Sequence, residues 1–167
     1  AALRKAGHAV EFASVAGGRA PMIGYDPDDA GQAAFLADPD GGGRLGSATR
    51  VEEVDPAGLG AVYFVGGHGT MWDFRGRPAL ERLTRQVHEQ GGVLAAICHG
   101  PAALVDVTLA DGRHLVDGLA VTAFSHQGET ERGLDCVVPF SLQHALEERG
   151  AVYSCAEGRQ AHVVVDG

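Results

Sequence analysis

Several absences narrow the field before any motif is considered. No apolar run is long enough to span a bilayer as a helix. The sequence does not open on a basic leader followed by an apolar core, so the expected location is the cytoplasm. Basic residues are few: 13 Lys and Arg against 22 Asp and Glu leave a formal net charge of −9. That balance disfavours a nucleic-acid surface and fits a protein kept soluble by its acidity. Cysteine is sparse too. Cys98, Cys136 and Cys155 are odd in number and widely spaced, with no C-x-x-C pair and no zinc pattern. Such usage fits a reducing compartment in which a lone reactive thiol survives. The 8 histidines include no His-Glu-x-x-His and no tight ligand spacing. His68 and His99 could face each other, but a closed metal site needs more ligands, so neither a metal nor another cofactor is expected. The glycines near residue 66 lack both G-x-G-x-x-G and Walker spacing, which argues against a phosphate loop. There is no internal repeat and no long linker.

What remains is a chain of 167 residues, 45% hydrophobic and 21% charged, suited to one globular domain over 1–167. Its most informative stretch is Val93-Leu-Ala-Ala-Ile-Cys98-His99-Gly100-Pro101. An apolar strand ends abruptly in a thiol, and Ala-Ala-Leu-Val after Pro101 reads as a helix. A nucleophile elbow is built this way, with the reactive atom at the carboxyl edge of a sheet. Unpaired N–H groups and partial positive charge at a helix start favour a thiolate. The plainer alternative is a buried small hydrophobe at a strand end. His99, Gly100 and Pro101 would be wasted on that role.

Taken in order, Ala1 to Gly7 reads as the end of a helix, with Gly7 closing it, and His8 to Ser14 as a strand. Asp26 to Asp29 offers an N-cap for a short helix through Gln32 to Leu36, and Ser47 to Asp55 is mixed. Ala61 to Val65 is a continuous apolar run, the pattern of a strand buried on both faces. Pro78 suits the first turn of a helix through Glu89, closed by Gly91 and Gly92. On it Leu80, Leu83 and Val87 keep helical spacing. Strand, helix, strand makes Ala61–Val65 and Val93–Ile97 parallel neighbours, with their unusual residues at the carboxyl ends, where open α/β sheets bind ligands. Leu109 to Val116 reads as a turn and short strand, and Leu119 to Phe124 as another strand. Pro139 opens a helix to Glu148. Val152 to Cys155 and His162 to Val165 read as two short final strands.

A cysteine nucleophile needs donors for the oxyanion and a base or acid nearby. The Gly66-Gly67-His68-Gly69 turn can bring a backbone N–H close to the thiol, and the N–H of His99 would be the second donor. The alternative for that turn is a plain strand-ending loop. Trp72 is either a pocket wall or core; as a lone indole beside the glycine turn it reads as pocket or dimer edge.

Two segments, Val65-Gly-Gly-His-Gly-Thr-Met-Trp-Asp-Phe74 and Ala96-Ile-Cys-His-Gly-Pro-Ala-Ala-Leu104, resemble the DJ-1/PfpI superfamily, and within it the glyoxalase-III-like, heat-shock-chaperone branch. Val121-Thr-Ala-Phe-Ser125, Val137-Val-Pro-Phe140, Gly150-Ala-Val-Tyr153 and Val163-Val-Val-Asp-Gly167 match that branch as well. The resemblance implies an α/β, flavodoxin-like three-layer sandwich with a mostly parallel sheet. It also implies a homodimer and glutathione-independent conversion of methylglyoxal, a small 2-oxoaldehyde, to lactate, often beside chaperone or deglycase activity. It makes Cys98 the nucleophile, His99 its proton-transfer partner and Glu129 the acidic residue after the Phe-Ser strand end, with Glu131 as the fallback. Gly66, Gly67, His68, Trp72 and Gly100 would form the oxyanion site and pocket. The family shows an Asn and a pair of glutamates where this chain has His126 and Gly128. Against this stands the reading of both glutamates as a solvated helix face.

The family's first strand, the glutamate after it and its closing segment have no counterpart here. The expectation is a domain truncated at both ends, and a poor glyoxalase without that glutamate. Three other functions compete: a non-enzymatic stress chaperone or redox-sensing protein, a class I glutamine amidotransferase, and a cysteine peptidase or amidase. The amidotransferase needs a distant His-x-Glu, and His162 is followed by Val163 and Val164 instead.

Overall fold

The chain divides into two compact units, one running to Val54 and the other starting at Asp55. A computed structural model describes residues 2–158 and 160–166. Ala1, the first residue of the expected opening helix, and the closing Gly167 lie outside the described residues.

In the first unit, α1 (Ala2–Lys5) is followed by β1 (Ala13–Ser14), α2 (Ala30–Ala37), α3 (Gly42–Leu45) and β2 (Thr49–Arg50). Asp29 caps α2, its carboxylate accepting from the Gln32 N–H at 2.8 Å. β1 and β2 run parallel, Ala13 opposite Thr49. Only Ala13 and Ser14 of the expected His8–Ser14 strand are paired as strand, because β2 offers just two residues against them. Edge-on contact between Phe12 and Phe35, at 6.1 Å, and the buried Ala48 and Val51 hold this unit together.

The second unit contains β3 (Ala61–Phe64), α4 (Thr70–Asp73), α5 (Pro78–Glu89), β4 (Val93–Ala96), β5 (Ala120–Val121), α6 (His126–Thr130), α7 (Leu142–Glu148) and β6 (Val152–Tyr153). β3 and β4 are parallel neighbours in register, Ala61 opposite Val93 and Phe64 opposite Ala96, as the strand–helix–strand pattern requires. β5 and β6 form a second parallel pair. α5 starts at Pro78 and lays its buried Leu80, Leu83 and Val87 against the β3–β4 pair. A further cluster, Met71, Ala102, Val105, Val116, Leu142, Ala145 and Leu146, packs α4 and α7 together. Beside it Asp106 joins Arg75 (2.8 Å) and Arg149 (2.7 Å). Burial pushes its carboxyl up, yet the two guanidiniums hold it below the usual carboxylate range.

Several local expectations fail for physical reasons. The run after Pro101 is a single 3-10 turn, Gly100–Ala103, not a continuing helix. Val105 and Val107 are both fully buried with Asp106 between them. Residues 104–106 continue as turn, the Val107 N–H donating to the Leu104 carbonyl at 3.3 Å, so the i-to-i+3 bonding replaces a helical ladder. The helix expected from Pro139 starts at Leu142, because Ser141 takes the N-cap and accepts from the His144 N–H. Residues 109–116 form a turn closed by an isolated antiparallel bridge, Thr108 to His114, without a strand. Residues 162–165 form no strand among the described residues, and Val163 and Val165 are exposed. Nor is the β3 run buried on both faces: Tyr63 and Val65 are more than half exposed while Phe64 is buried.

Candidate active site

All the chemistry-bearing residues singled out from the sequence fall in the second unit. Cys98 stands two residues after β4, and among the described residues it is the one non-glycine with a positive φ, 59°. A left-handed backbone at a cysteine costs on the order of 1–3 kcal/mol and persists only where surrounding structure enforces it. Here the enforcing contacts are short. A Cβ on Gly66 would lie 2.5 Å from the Ile97 carbonyl oxygen and 2.8 Å from the Cys98 Cβ. One on Gly100 would lie 2.2 Å from the Phe64 carbonyl oxygen. Glycine at both positions lets the β3 end and the elbow touch backbone to backbone. The Thr70 hydroxyl fastens the same junction, donating to the carbonyls of Gly67 (2.8 Å) and His99 (3.2 Å).

The step from Cys98 to His99 crosses from solvent into the interior. Cys98 is exposed, and its Sγ opens into a cleft of about 620 Å³ bounded in part by Tyr63, Ile97, Phe124 and Arg132. His99 is 1% exposed. Its Nδ1 lies 3.2 Å from Cys98 Sγ and its Nε2 lies 2.5 Å from Glu129 Oε1. Glu129 is 3% exposed, so the solvated-helix reading of that residue is set aside. Its second oxygen, Oε2, lies 3.2 Å from His68 Nε2. Burial pulls His99 below the ordinary histidine range, against the upward pull of its hydrogen bond to Glu129.

α6 delivers Glu129. Ser125 caps it, accepting from the Gly128 N–H at 3.0 Å. The Phe124 ring stacks on His99, centroids 4.5 Å apart and planes 24° apart, and the Arg132 guanidinium sits 4.8 Å from the Phe124 centroid. Glu131, the fallback, is exposed and accepts from Gln127 Nε2 at 2.7 Å. It takes no part in the His99 contact. Trp72, on α4, is 53% exposed and does not line the cleft. His162 hydrogen-bonds Ser154 at 3.0 Å, and the histidine beside the thiol is its chain neighbour His99. Thr70, Phe124 and Arg132 were not identified as site residues from sequence. The Thr in Gly-Gly-His-Gly-Thr and the aromatic before the Ser125 cap were the available signals.

His68, His99 and Glu129 also bring one potential ligand atom each within 4.8 Å of one another. Both Glu129 oxygens already face an imidazole. The arrangement is therefore complete as a hydrogen-bonded relay from Sγ to a buried carboxylate.

An exposed elbow thiol, a buried imidazole and a buried carboxylate thus meet at the carboxyl end of parallel strands in an α/β protein. The sequence pattern of the DJ-1/PfpI family matches residues 1–131, and the chain belongs to that family. It is 33% identical over 97 residues to the glutathione-independent glyoxalase HSP31 of Saccharomyces cerevisiae, a match covering 55% of this chain and 41% of that protein. It is 28% identical over 119 residues to glyoxalase 3 of Candida albicans, covering 68% and 50%. The chain thus spans about half the length of the curated relatives it matches. The crystal structure of Rapid Encystment Protein 24 kDa from Francisella tularensis superposes with a TM-score of 0.86 at 35% identity, covering 93% of this chain and 70% of that one. No helix among the described residues is long and apolar enough to cross a membrane.

Proposed function

We propose that this chain carries the catalytic centre of a glutathione-independent glyoxalase that turns methylglyoxal into lactate. One observation carries the reading: the buried His99 imidazole bridges the exposed Cys98 thiol and the buried Glu129 carboxylate. The glyoxalase names of the yeast relatives support it.

In this reading His99 takes the Cys98 thiol proton as the sulfur attacks the aldehyde carbon, and passes it to the oxygen that receives the carbonyl π electrons, giving a hemithioacetal and a neutral His99. The N–H groups at Gly67 and His99, set by the glycine turn, hold that oxygen. Neutral His99 takes the proton from the former aldehyde carbon, giving an enediolate, and returns it to the neighbouring carbon while the hydroxyl proton passes to the neighbouring oxygen. The product is a lactoyl thioester. Water adds to it, the carbon–sulfur bond breaks, and lactate leaves with the thiol restored. The sum is methylglyoxal plus water to lactate and a proton, with no external oxidant or reductant. Glu129 stabilises the imidazolium each time His99 holds a proton. Cytoplasmic location and a homodimer belong to the same reading; three unpaired cysteines fit the first.

The test is lactate formation from methylglyoxal without glutathione. Cys98→Ser should abolish it, and Glu129→Gln should lower turnover by about 10²–10⁴-fold. Undiminished lactate formation by the serine variant would rule out the cysteine mechanism.

A further inference from the structure

The geometry points to His68 as a positioning residue of the thiol relay: it holds the buried Glu129 carboxylate so that the other oxygen engages His99, and thereby sets the reactivity of Cys98. This deepens the reading above and rests on Cys98 being activated through His99.

Glu129 has two oxygens and two imidazole partners. Oε2 faces His68 Nε2 at 3.2 Å, and Oε1 faces His99 Nε2 at 2.5 Å. At 3% exposure little water can replace a lost donor. A buried carboxylate with one oxygen unsatisfied is costly, and it relieves that cost by turning or by taking a proton. Turning removes Oε1 from His99. Protonation removes the charge that favours a proton on His99 when Cys98 gives one up. An N–H from His68 opposes both outcomes.

Three further features hold the His68 ring in that place. It packs against the His99 ring at 4.2 Å and meets Phe124 edge-on at 6.1 Å. Its backbone sits in the glycine turn that Thr70 fastens to the elbow. Its side chain is 37% exposed, so it links the buried carboxylate to solvent. The sequence placed His68 in the oxyanion pocket. The observed contact puts its imidazole on the carboxylate instead, two hydrogen bonds from the sulfur.

The experiment reads the rate of Cys98 alkylation by iodoacetamide at pH 7, followed by peptide mass spectrometry, with the thermal midpoint measured alongside. His68→Leu removes the donor and should slow alkylation about tenfold, the effect of one hydrogen bond to a charged group. His68→Gln keeps an N–H of similar reach and should restore most of the rate, while the two variants share a thermal midpoint. The proposal is overturned if the leucine variant alkylates at the unaltered rate, or if the glutamine variant is as slow as leucine. Alkylation needs no methylglyoxal. Failure of the glyoxalase reading would therefore show as absent lactate with the alkylation pattern intact, and failure of the His68 role as the reverse.

Discussion

The two faces of the β3–β4 pair have nearly the same composition and opposite fates. Val62, Phe64 and Leu94 point one way and are half-buried or buried under α5. Tyr63, Val65, Val93 and Ile97 point the other way, and each is more than half exposed. Alternation along a strand sends successive side chains to opposite faces, so a continuous apolar run predicts cover on both. Only one face finds its cover among the described residues. The active-site residues straddle the same divide. Cys98 opens into the cleft beside Tyr63 and Ile97, while His99, one residue on, turns into the interior. The imidazole and carboxylate are buried, and the thiol faces the cleft. Stability and access are thus assigned to different faces of one short pair of strands.

The largest expected effect tests the covered face. Leu83 is 5% exposed on α5 and packs towards β3 and β4. Leu83→Ala should cost about 3 kcal/mol, the usual loss of transfer energy plus a cavity. Urea denaturation of the two proteins measures it. A loss below about 1 kcal/mol would mean that α5 is not the cover that the burial indicates.

How much of this was legible depends on how far apart in sequence the partners stand. α5 could be read because its signals are local: Pro78 at the first turn, leucines at helical spacing, glycines after Glu89. The elbow could be read because Cys98, His99 and Gly100 are consecutive. Glu129 was harder, since its partner lies 30 residues away and its exposure is decided by folding. Gly128 looked like a departure from the family pattern. In the structure a Cβ there would come within 3.1 Å of the Phe124 ring, so glycine lets that ring lie against α6 and stack on His99. The role of His68 was hidden because a histidine in a glycine turn can face the oxyanion or the carboxylate, and only the fold decides. The short 3-10 turn after Pro101 was hard to read because an apolar Ala-Ala-Leu-Val run suits a helix and a succession of tight turns alike.

A smaller effect separates the buried half of the site from the rest by pH. His99 titrates below the ordinary histidine value of 6.5 in the folded protein, chiefly through burial. As pH falls below about 6.5 the unfolded chain takes up this proton before the folded one. Stability contributed by neutral His99 is therefore complete above that point and is lost as pH falls towards the folded-state value. One such group changes stability by at most about 1.4 kcal/mol per pH unit. Urea midpoints measured between pH 7.5 and 5 should fall more steeply for the unaltered protein than for His99→Gln. Equal slopes would show that His99 is not the group that couples acid to unfolding.

The smallest effect belongs to the open face. Val65 and Val93 are each 62% exposed, and threonine keeps the β-branched shape that a strand favours. Little apolar contact exists to lose at either position, so Val65→Thr and Val93→Thr together should change stability by less than about 0.5 kcal/mol per site. Their effect should appear in self-association. Exposed apolar side chains on a short strand pair invite contact with other chains, and two hydroxyls on that face weaken it. Light scattering at rising protein concentration should therefore show less association for the double variant, while its urea midpoint stays near that of the unaltered protein. A loss approaching that of Leu83→Ala would mean the face is covered after all, and the contrast between the two sides of β3 and β4 would disappear with it.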